Sequence, residues 1–129
     1  MAHSSADQRE LSDDLQSYKP KIALVLGDPA GIGPELIARL LAEPDVRSKA
    51  HLLLIADEAQ MRIGMDIAGC TFPYRTIDSL ETLDFSDDTP LFYQYRGAAQ
   101  GEFPRAEASA IGGQYCLDTL ETGLRLTHQ

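Results

Sequence analysis

A glycine-rich segment is the part of this sequence whose residue types and spacing could do chemistry. It reads GDPAGIGPE over residues 27–35 and follows a short apolar run, residues 22–26. Because glycine has no Cβ, a glycine-rich turn between a strand and a helix lets the backbone approach a phosphate or a nucleotide closely. A tight turn without a ligand explains the same residues equally well. On the residues alone, both interpretations stay open.

Two well-known phosphate-binding patterns fit the segment poorly. A Walker A loop ends in Gly-Lys-Ser or Gly-Lys-Thr, whereas Gly33 is followed by proline and glutamate. A dinucleotide fingerprint could begin at Gly31 and Gly33, but Leu36 stands where its third glycine belongs. Asp57 ends the next apolar run, where a ribose-binding carboxylate would lie, yet its position favours a helix N-cap. The spacing therefore excludes the first pattern and gives the second little support.

Three other residues of the segment have local roles that need no ligand. Asp28 can hold the loop through an Asx-type bond to the amides that follow it. Pro34 suits the first turn of a helix, where its missing N–H costs no hydrogen bond. Glu35 places a carboxylate where the helix dipole favours one.

The residues on either side of the segment predict strands and helices in alternation. Residues 21–27 form a first strand, whose continuous apolar run is typical of a parallel strand covered on both faces. A helix follows over residues 34–42, then a strand over 51–56. A second helix spans about 58–67 and ends near Gly69. This order predicts an α/β protein with a parallel sheet, in which the glycine-rich segment lies at the ligand-binding ends of the strands.

The rest of the chain is less regular. Residues 72–77 predict a short strand that begins with an edge proline, and 91–95 predict another. Residues 84–88 are acidic and predict a solvated loop, because their spacing does not match a calcium-binding EF-hand. A loop over 96–105 leads to a last helix that begins at Ala106 or Ser109 and ends near 126.

Helical spacing and strand alternation also predict which side chains face the core. In the first helix the apolar face consists of Leu36, Ile37, Leu40 and Leu41, and in the last helix it consists of Ile111, Tyr115, Leu120 and Leu124. Tyr93 and Tyr95 are expected on one face of their strand, in the core or an interface. Ser109 is expected to cap the last helix. Arg96 and Arg105 could meet an anion, but solvated surface positions are favoured.

Composition restricts the class of protein. The chain has 129 residues, a net charge of −9, 43% hydrophobic and 24% charged residues, as in a globular domain. So acidic a surface disfavours nucleic acid and anionic membranes as partners. Residues 1–19 are polar and predict a disordered extension without a signal peptide. Cys70 and Cys116 lack metal-ligand spacing and are expected to be reduced, partly buried thiols of a cytoplasmic protein.

The segment at residues 27–35, preceded by its strand, resembles the N-terminal signature of the 4-hydroxythreonine-4-phosphate dehydrogenase family at every position. A second resemblance lies at Gly101 and in the run Ser109-Ala110-Ile111-Gly112-Gly113, which leads into a helix. Together the resemblance covers residues 20 to about 127. That family contains enzymes of pyridoxal phosphate synthesis and relatives that oxidise other phosphorylated hydroxy acids.

The resemblance implies an isopropylmalate-dehydrogenase-like parallel or mixed sheet with flanking helices. Family members are much longer two-domain homodimers, so residues 20–129 would form only the N-terminal portion of an α/β dehydrogenase. It further implies NAD or NADP as the cofactor, close to Gly31, Ile32 and Gly33. A divalent metal such as Zn, Mg or Co is implied too, with its ligands outside this chain.

The family's catalytic motifs are not found in this sequence, so no residue of the chain is assigned a catalytic role. His3, His51 and His128 do not occupy the family's metal-ligand positions and inherit no metal role. The implied substrate is 4-phosphohydroxy-L-threonine, oxidised and then decarboxylated. Threonate or erythronate phosphate or an aromatic dihydrodiol are alternatives, and so is a non-catalytic fragment or binding module. The 129-residue chain alone is expected to be inactive.

Overall fold

The first three strands are separated by helices, as the sequence predicts, whereas the third and fourth strands follow each other without a helix between them. The computed structural model describes residues 18–99 and 102–128. In chain order its elements are β1 (Lys21–Val25), α1 (Gly33–Ala42), α2 (Pro44–Lys49), β2 (His51–Ala56), α3 (Glu58–Ala68), β3 (Arg75–Ile77), β4 (Leu91–Gln94) and α4 (Ala110–Thr127).

The four strands form one parallel sheet in the order β1-β2-β4-β3. Leu53 of β2 is the register partner of both Ala23 in β1 and Leu91 in β4. Because β2 lies inside the sheet with both faces covered, five consecutive apolar residues, 52–56, are buried in it. The α/β class and the parallel sheet predicted from the sequence are thus confirmed.

The prediction that the first strand is covered on both faces is wrong. Lys21, Ile22 and Ala23 are exposed, and β1 pairs with β2 alone among the described strands. In the sheet formed by the described residues it is therefore an edge strand, and its apolar run is only partly buried. The strand also ends at Val25, before the left-handed backbone of Gly27 (φ 72°) turns the chain toward α1.

Helices α1 and α3 cover one face of the sheet and pack on each other. Gly64 of α3 lies so close to α1 that an added Cβ would stand 2.5 Å from the Pro34 carbonyl carbon. The residues that α1 buries are Pro34, Ala38 and Leu41. Two members of its predicted apolar face are exposed instead, Leu36 at 53% and Leu40 at 42%. Small residues occupy the contact because they let the two helices approach.

Helix α4 and the segment 80–85 lie over the other face, which buries residues such as Leu53, Ile55 and Leu91. The predicted apolar side of α4 is wrong in its second half, because Leu120 and Leu124 are about half exposed. The helix turns a different set of positions inward, namely Gly112, Tyr115, Thr119 and Gly123.

Several boundaries differ from the predictions for physical reasons. The chain forms α2 directly after α1, because Pro44 can occupy a first helical turn as well as end a helix. Strand β3 begins at Arg75, after the Phe-Pro pair of the predicted strand 72–77. Tyr93 and Tyr95 do not share a face: Tyr95 lies beyond the end of β4 and packs with the core under α1 and α3, whereas Tyr93 packs on the other side.

Some expectations fall on residues that are not described. The predicted extension of residues 1–19, except for Tyr18 and Lys19, is outside the described ranges, and so are His3 and Gly101. The thiols of Cys70 and Cys116 are free and half-buried, as expected. Within residues 18–99 and 102–128, no helix has the length and apolar character needed to cross a membrane.

Candidate cofactor site

The glycine loop, residues 27–33, joins the end of β1 to the start of α1. The side chain of Asp28 folds back so that its Oδ1 accepts from the Ala30 amide at 2.9 Å. The Asp28 carbonyl accepts from the Gly31 amide at 3.0 Å. The predicted Asx-type role of Asp28 is therefore confirmed.

Two glycines of the loop lie close to the loop's own backbone. An added Cβ on Gly33 would lie 1.9 Å from the Leu26 carbonyl oxygen, so α1 can start beside the strand end only with glycine at this position. At Gly31 the same atom would stand 3.3 Å from the Asp28 carbonyl oxygen, which is a tight contact. Both glycines thus have a reason to be present without any ligand, and their assignment to a cofactor stays a prediction.

The side chain of Ile32, by contrast, points away from the core. It is 65% exposed and occupies the N-cap position of α1, where no side chain bonds to the first helical amides. Pro34 lies in the first turn, as predicted, and Glu35 follows it. The loop therefore presents an accessible apolar side chain beside a helix N-terminus, at the carboxyl end of the sheet.

A second segment, residues 105–112, packs against the loop. The Arg105 Nη1 donates to the Pro29 carbonyl at 3.2 Å, and the Ala106 amide donates to the Ala30 carbonyl at 2.8 Å. The Arg105 Nη2 stands 3.6 Å from Oε1 of Glu35. The predicted solvated position of Arg105 is thus only half right, because its side chain remains 38% exposed but is tied to the loop.

The start of α4 completes this contact. Ser109 caps the helix by accepting from the Gly112 amide at 3.1 Å, as predicted. An added Cβ on Gly112 would lie 2.7 Å from Oδ1 of Asp28, so glycine is needed here for the carboxylate to fit. The two glycine-containing motifs that the sequence analysis singled out are therefore neighbours in space.

A polar network ties the carboxyl ends of β2 and β4 to α4. The Asp57 amide donates to the hydroxyl of Tyr115 at 2.7 Å. The amide oxygen of Gln94 accepts from the Glu58 backbone N–H at 2.9 Å, and its Nε2 lies 3.3 Å from Oδ1 of Asp57. Sequence analysis missed Gln94, although a polar residue that ends an apolar strand is a usable signal for this edge of the sheet.

Asp57 is a helix N-cap, as its sequence position favoured. Its Oδ1 accepts from the Ala59 amide at 3.1 Å, and α3 begins at the next residue. A carboxylate bound in this way is already occupied by its own helix, so the dinucleotide-fingerprint interpretation gains nothing from it.

Two tyrosines of the network are held in their neutral form. Burial raises the pKa of Tyr115 well above its ordinary value. Burial also raises the pKa of Tyr95, and the hydrogen bond that its hydroxyl donates to Asp118 across 2.6 Å adds to the effect. Both groups thus serve as neutral hydrogen-bonding groups, and neither is poised to act as a base near neutral pH.

The other sequence candidates lie apart from the loop. Arg96 is exposed, faces Asp78 at 3.8 Å and lies over the ring of Tyr93. His51 begins β2 against Phe85, and His128 follows the last residue of α4. Within the described ranges, no three histidine, cysteine, aspartate or glutamate side chains are grouped as a metal site would require.

Comparison with known proteins gives relatives for most of the chain, although no protein-family model matches it. A Pseudomonas aeruginosa protein provisionally named 4-hydroxythreonine-4-phosphate dehydrogenase 2 is 67% identical over 108 residues, which make up 84% of this chain and 32% of that protein. A D-threonate 4-phosphate dehydrogenase of Cupriavidus necator is 28% identical over 113 residues, 88% of this chain and 34% of that protein. The chain thus spans about a third of the length of these relatives.

A solved structure has the same fold. The crystal structure of a 4-hydroxythreonine-4-phosphate dehydrogenase from Burkholderia phymatum superposes with a TM-score of 0.73 at 23% identity. The match covers 87% of this chain and 34% of that one.

Proposed function

Because this chain resembles the N-terminal part of the 4-hydroxythreonine-4-phosphate dehydrogenase family, we propose that it belongs to a dehydrogenase of a phosphorylated hydroxy acid. The 67% identity to the Pseudomonas aeruginosa protein carries this proposal. The preferred substrate is 4-phosphohydroxy-L-threonine, oxidised at its hydroxyl and then decarboxylated. The chain would supply the N-terminal portion of an α/β enzyme that works as a homodimer in the cytoplasm.

A nicotinamide dinucleotide, NAD or NADP, is the proposed cofactor, with Gly31, Ile32 and Gly33 close to it. Two features of the structure fit this group: the loop lies at the carboxyl end of a parallel strand, and the first turn of α1 has no side-chain cap. The exposed Ile32 offers an apolar surface on which a planar ring can rest. When bound, the cofactor supplies the hydride acceptor.

A divalent metal such as Zn, Mg or Co is proposed as well, to supply a Lewis acid for the substrate oxygen. The described residues do not group three ligand side chains of the required types, so they do not fit a metal centre by themselves. Following the family resemblance, we propose that the metal ligands and the groups that act on the substrate lie outside this chain. The described residues would hold the loop in place and orient the cofactor at the carboxyl end of the sheet.

A second substrate has a specific observation in its favour. The relative from Cupriavidus necator is named a D-threonate 4-phosphate dehydrogenase, and it matches 88% of this chain. Its identity is far lower than that of the first relative, so D-threonate 4-phosphate ranks second. Erythronate phosphates and aromatic dihydrodiols rank lower still.

The experiment that tests the proposal is an assay of cofactor reduction by the full-length product of the gene. NADH formation would be followed with 4-phosphohydroxy-L-threonine and with D-threonate 4-phosphate, each in the presence and absence of a divalent metal. We expect metal-dependent NADH formation with one of them, and none from the purified 129-residue chain. Absence of cofactor reduction by the metal-loaded full-length protein with both substrates would refute these two substrate assignments. Absence with erythronate phosphate and an aromatic dihydrodiol as well would leave the non-catalytic binding module.

A further inference from the structure

We propose that Arg105 is a positioning residue that holds the glycine loop in the conformation in which it contacts the cofactor. The inference rests on the proposed function for the identity of the ligand, but its geometric part concerns contacts within this chain. Those contacts join two segments more than seventy residues apart in sequence.

The backbone of the loop provides the first argument. Its internal hydrogen bonds all involve Asp28, which accepts from the amides of Ala30 and Gly31. The carbonyl oxygens of Pro29 and Ala30 accept from outside the loop, from the Arg105 side chain and the Ala106 amide. The middle of the loop is therefore held from outside, directly before Gly31, Ile32 and Gly33.

The backbone of Ala106 provides the second argument. Its φ is 58°, and among the described residues it is the one residue other than glycine with a positive φ. Such a conformation has an energetic cost for an alanine, because it brings the Cβ close to the following carbonyl oxygen. The surrounding contacts must compensate for that cost, and one of them is the hydrogen bond from the Ala106 amide to the loop.

The shape of the guanidinium provides the third argument. One of its terminal nitrogens donates to the Pro29 carbonyl while the other faces the half-buried carboxylate of Glu35. A planar fork can serve a loop carbonyl and a helix carboxylate at once, whereas a lysine ammonium is a single point charge on a flexible stem. Arg105 thus joins the loop to the first turn of α1. Its two partners, Pro29 and Glu35, come before and after Ile32 in the sequence.

Such bracing would affect cofactor binding rather than the chemical step. A loop that is ordered before the ligand arrives does not have to lose its conformational freedom on binding. Loss of the guanidinium would free the Pro29 carbonyl and the Glu35 carboxylate, so the cofactor would have to order this part of the loop on binding. The structure therefore predicts a change in the KM for NAD⁺ with little change in kcat.

Two variants of the full-length product test the inference, Arg105→Ala and Arg105→Lys. The matched control is Arg62→Ala, because Arg62 also pairs with a glutamate but is 69% exposed and lies within α3. Hydrogen exchange would be measured for a peptide that covers residues 27–33 and for one that covers β2. The KM for NAD⁺ and kcat would be measured on the same samples.

For Arg105→Ala we expect exchange at residues 27–33 to accelerate at least fivefold, with β2 unchanged. The KM for NAD⁺ should rise about five- to tenfold while kcat stays within about twofold, equivalent to roughly 1–1.4 kcal/mol of binding. Arg105→Lys should recover part of both effects, and Arg62→Ala should show neither.

Unchanged exchange at residues 27–33 in Arg105→Ala would overturn the inference, as would an unchanged KM in an enzyme that is active. If the unaltered protein neither binds nor reduces NAD⁺, the proposed function fails instead. The exchange measurement still decides in that case whether Arg105 positions the loop.

Discussion

The backbone nitrogen of Asp57, at the carboxyl end of β2, donates a hydrogen bond to the phenol oxygen of Tyr115 on α4 at 2.7 Å. This contact joins the central strand to the helix that carries the second glycine-containing motif. Tyr115 is fully buried, and its ring packs against those of Tyr95 and Phe103. This buried hydroxyl is therefore one of the contacts that hold the start of α4 beside the end of β2.

The change Tyr115→Phe should lower the free energy of unfolding by about 1–3 kcal/mol. It keeps the ring but leaves the Asp57 N–H without its acceptor in a partly buried site. Tyr18→Phe is the matched control, since Tyr18 is 69% exposed and should change nothing. Urea denaturation of the two variants measures the difference. Equal midpoints would show that this hydrogen bond contributes little.

Alkaline pH should destabilise the fold. Burial is the main cause that raises the pKa values of Tyr74, Tyr95 and Tyr115 in the folded state. Above about pH 10 the unfolded chain loses these protons first, so the free energy of unfolding falls as pH rises and is fully retained below that pH.

An absorbance titration of phenolate, run beside denaturation curves from pH 8 to 11, checks this expectation. Three of the five tyrosines of the chain should ionise late or only with unfolding. Tyr95→Phe should reduce the pH dependence of stability. Ionisation of all five together near pH 10 in the folded protein would be incompatible with the buried positions described here.

The glycine loop should not tolerate a side chain at its last position. Gly33→Ala would place a methyl group 1.9 Å from the Leu26 carbonyl, so the strand end and α1 must separate, at a cost of about 1–3 kcal/mol. Gly113→Ala is the control, because nothing lies within 4 Å of its added methyl and alanine favours a helix by about 0.5–1 kcal/mol. Thermal unfolding midpoints should move in opposite directions, and a Gly33→Ala variant as stable as the parent would contradict the close approach.

Local signals in the sequence located most of the fold. Pro34 after the glycines, Asp57 before α3, Gly69 after it and Ser109 before α4 mark helix ends that the structure has at the same positions within a residue or two. These signals are reliable because each acts through the backbone of its own turn. The alternation of elements then determined the parallel sheet.

Burial could not be read from the same patterns. Leu36, Leu40, Leu120 and Leu124 have core-like spacing but are exposed, because a helix is oriented by what packs against it. Small residues at Ala38, Gly64 and Gly123 mark the actual contacts, and their significance appears only once the neighbouring element is known.

Of the candidate site, the sequence predicted the glycine loop but not the segments that pack against it. The loop and the Asx role of Asp28 follow from local sequence, whereas the contacts from Arg105, Ala106 and Gly112 join distant segments and leave no periodic signal. The position of Gln94 at the end of an apolar strand was a usable signal, but its partners Asp57 and Glu58 follow a different strand and could not be inferred from local sequence.

The measurement that tests the central claim most directly is the KM for NAD⁺ of an Ile32→Ala variant of the full-length product. Ile32 is 65% exposed, so truncation should leave the thermal midpoint unchanged, and Leu36→Ala, one turn later and 53% exposed, serves as the control. If the loop is a cofactor surface, the KM should rise about five- to tenfold in Ile32→Ala alone, as the loss of roughly 1–1.4 kcal/mol of apolar contact requires. An active variant with the parent's KM would contradict the assignment of the cofactor to this loop.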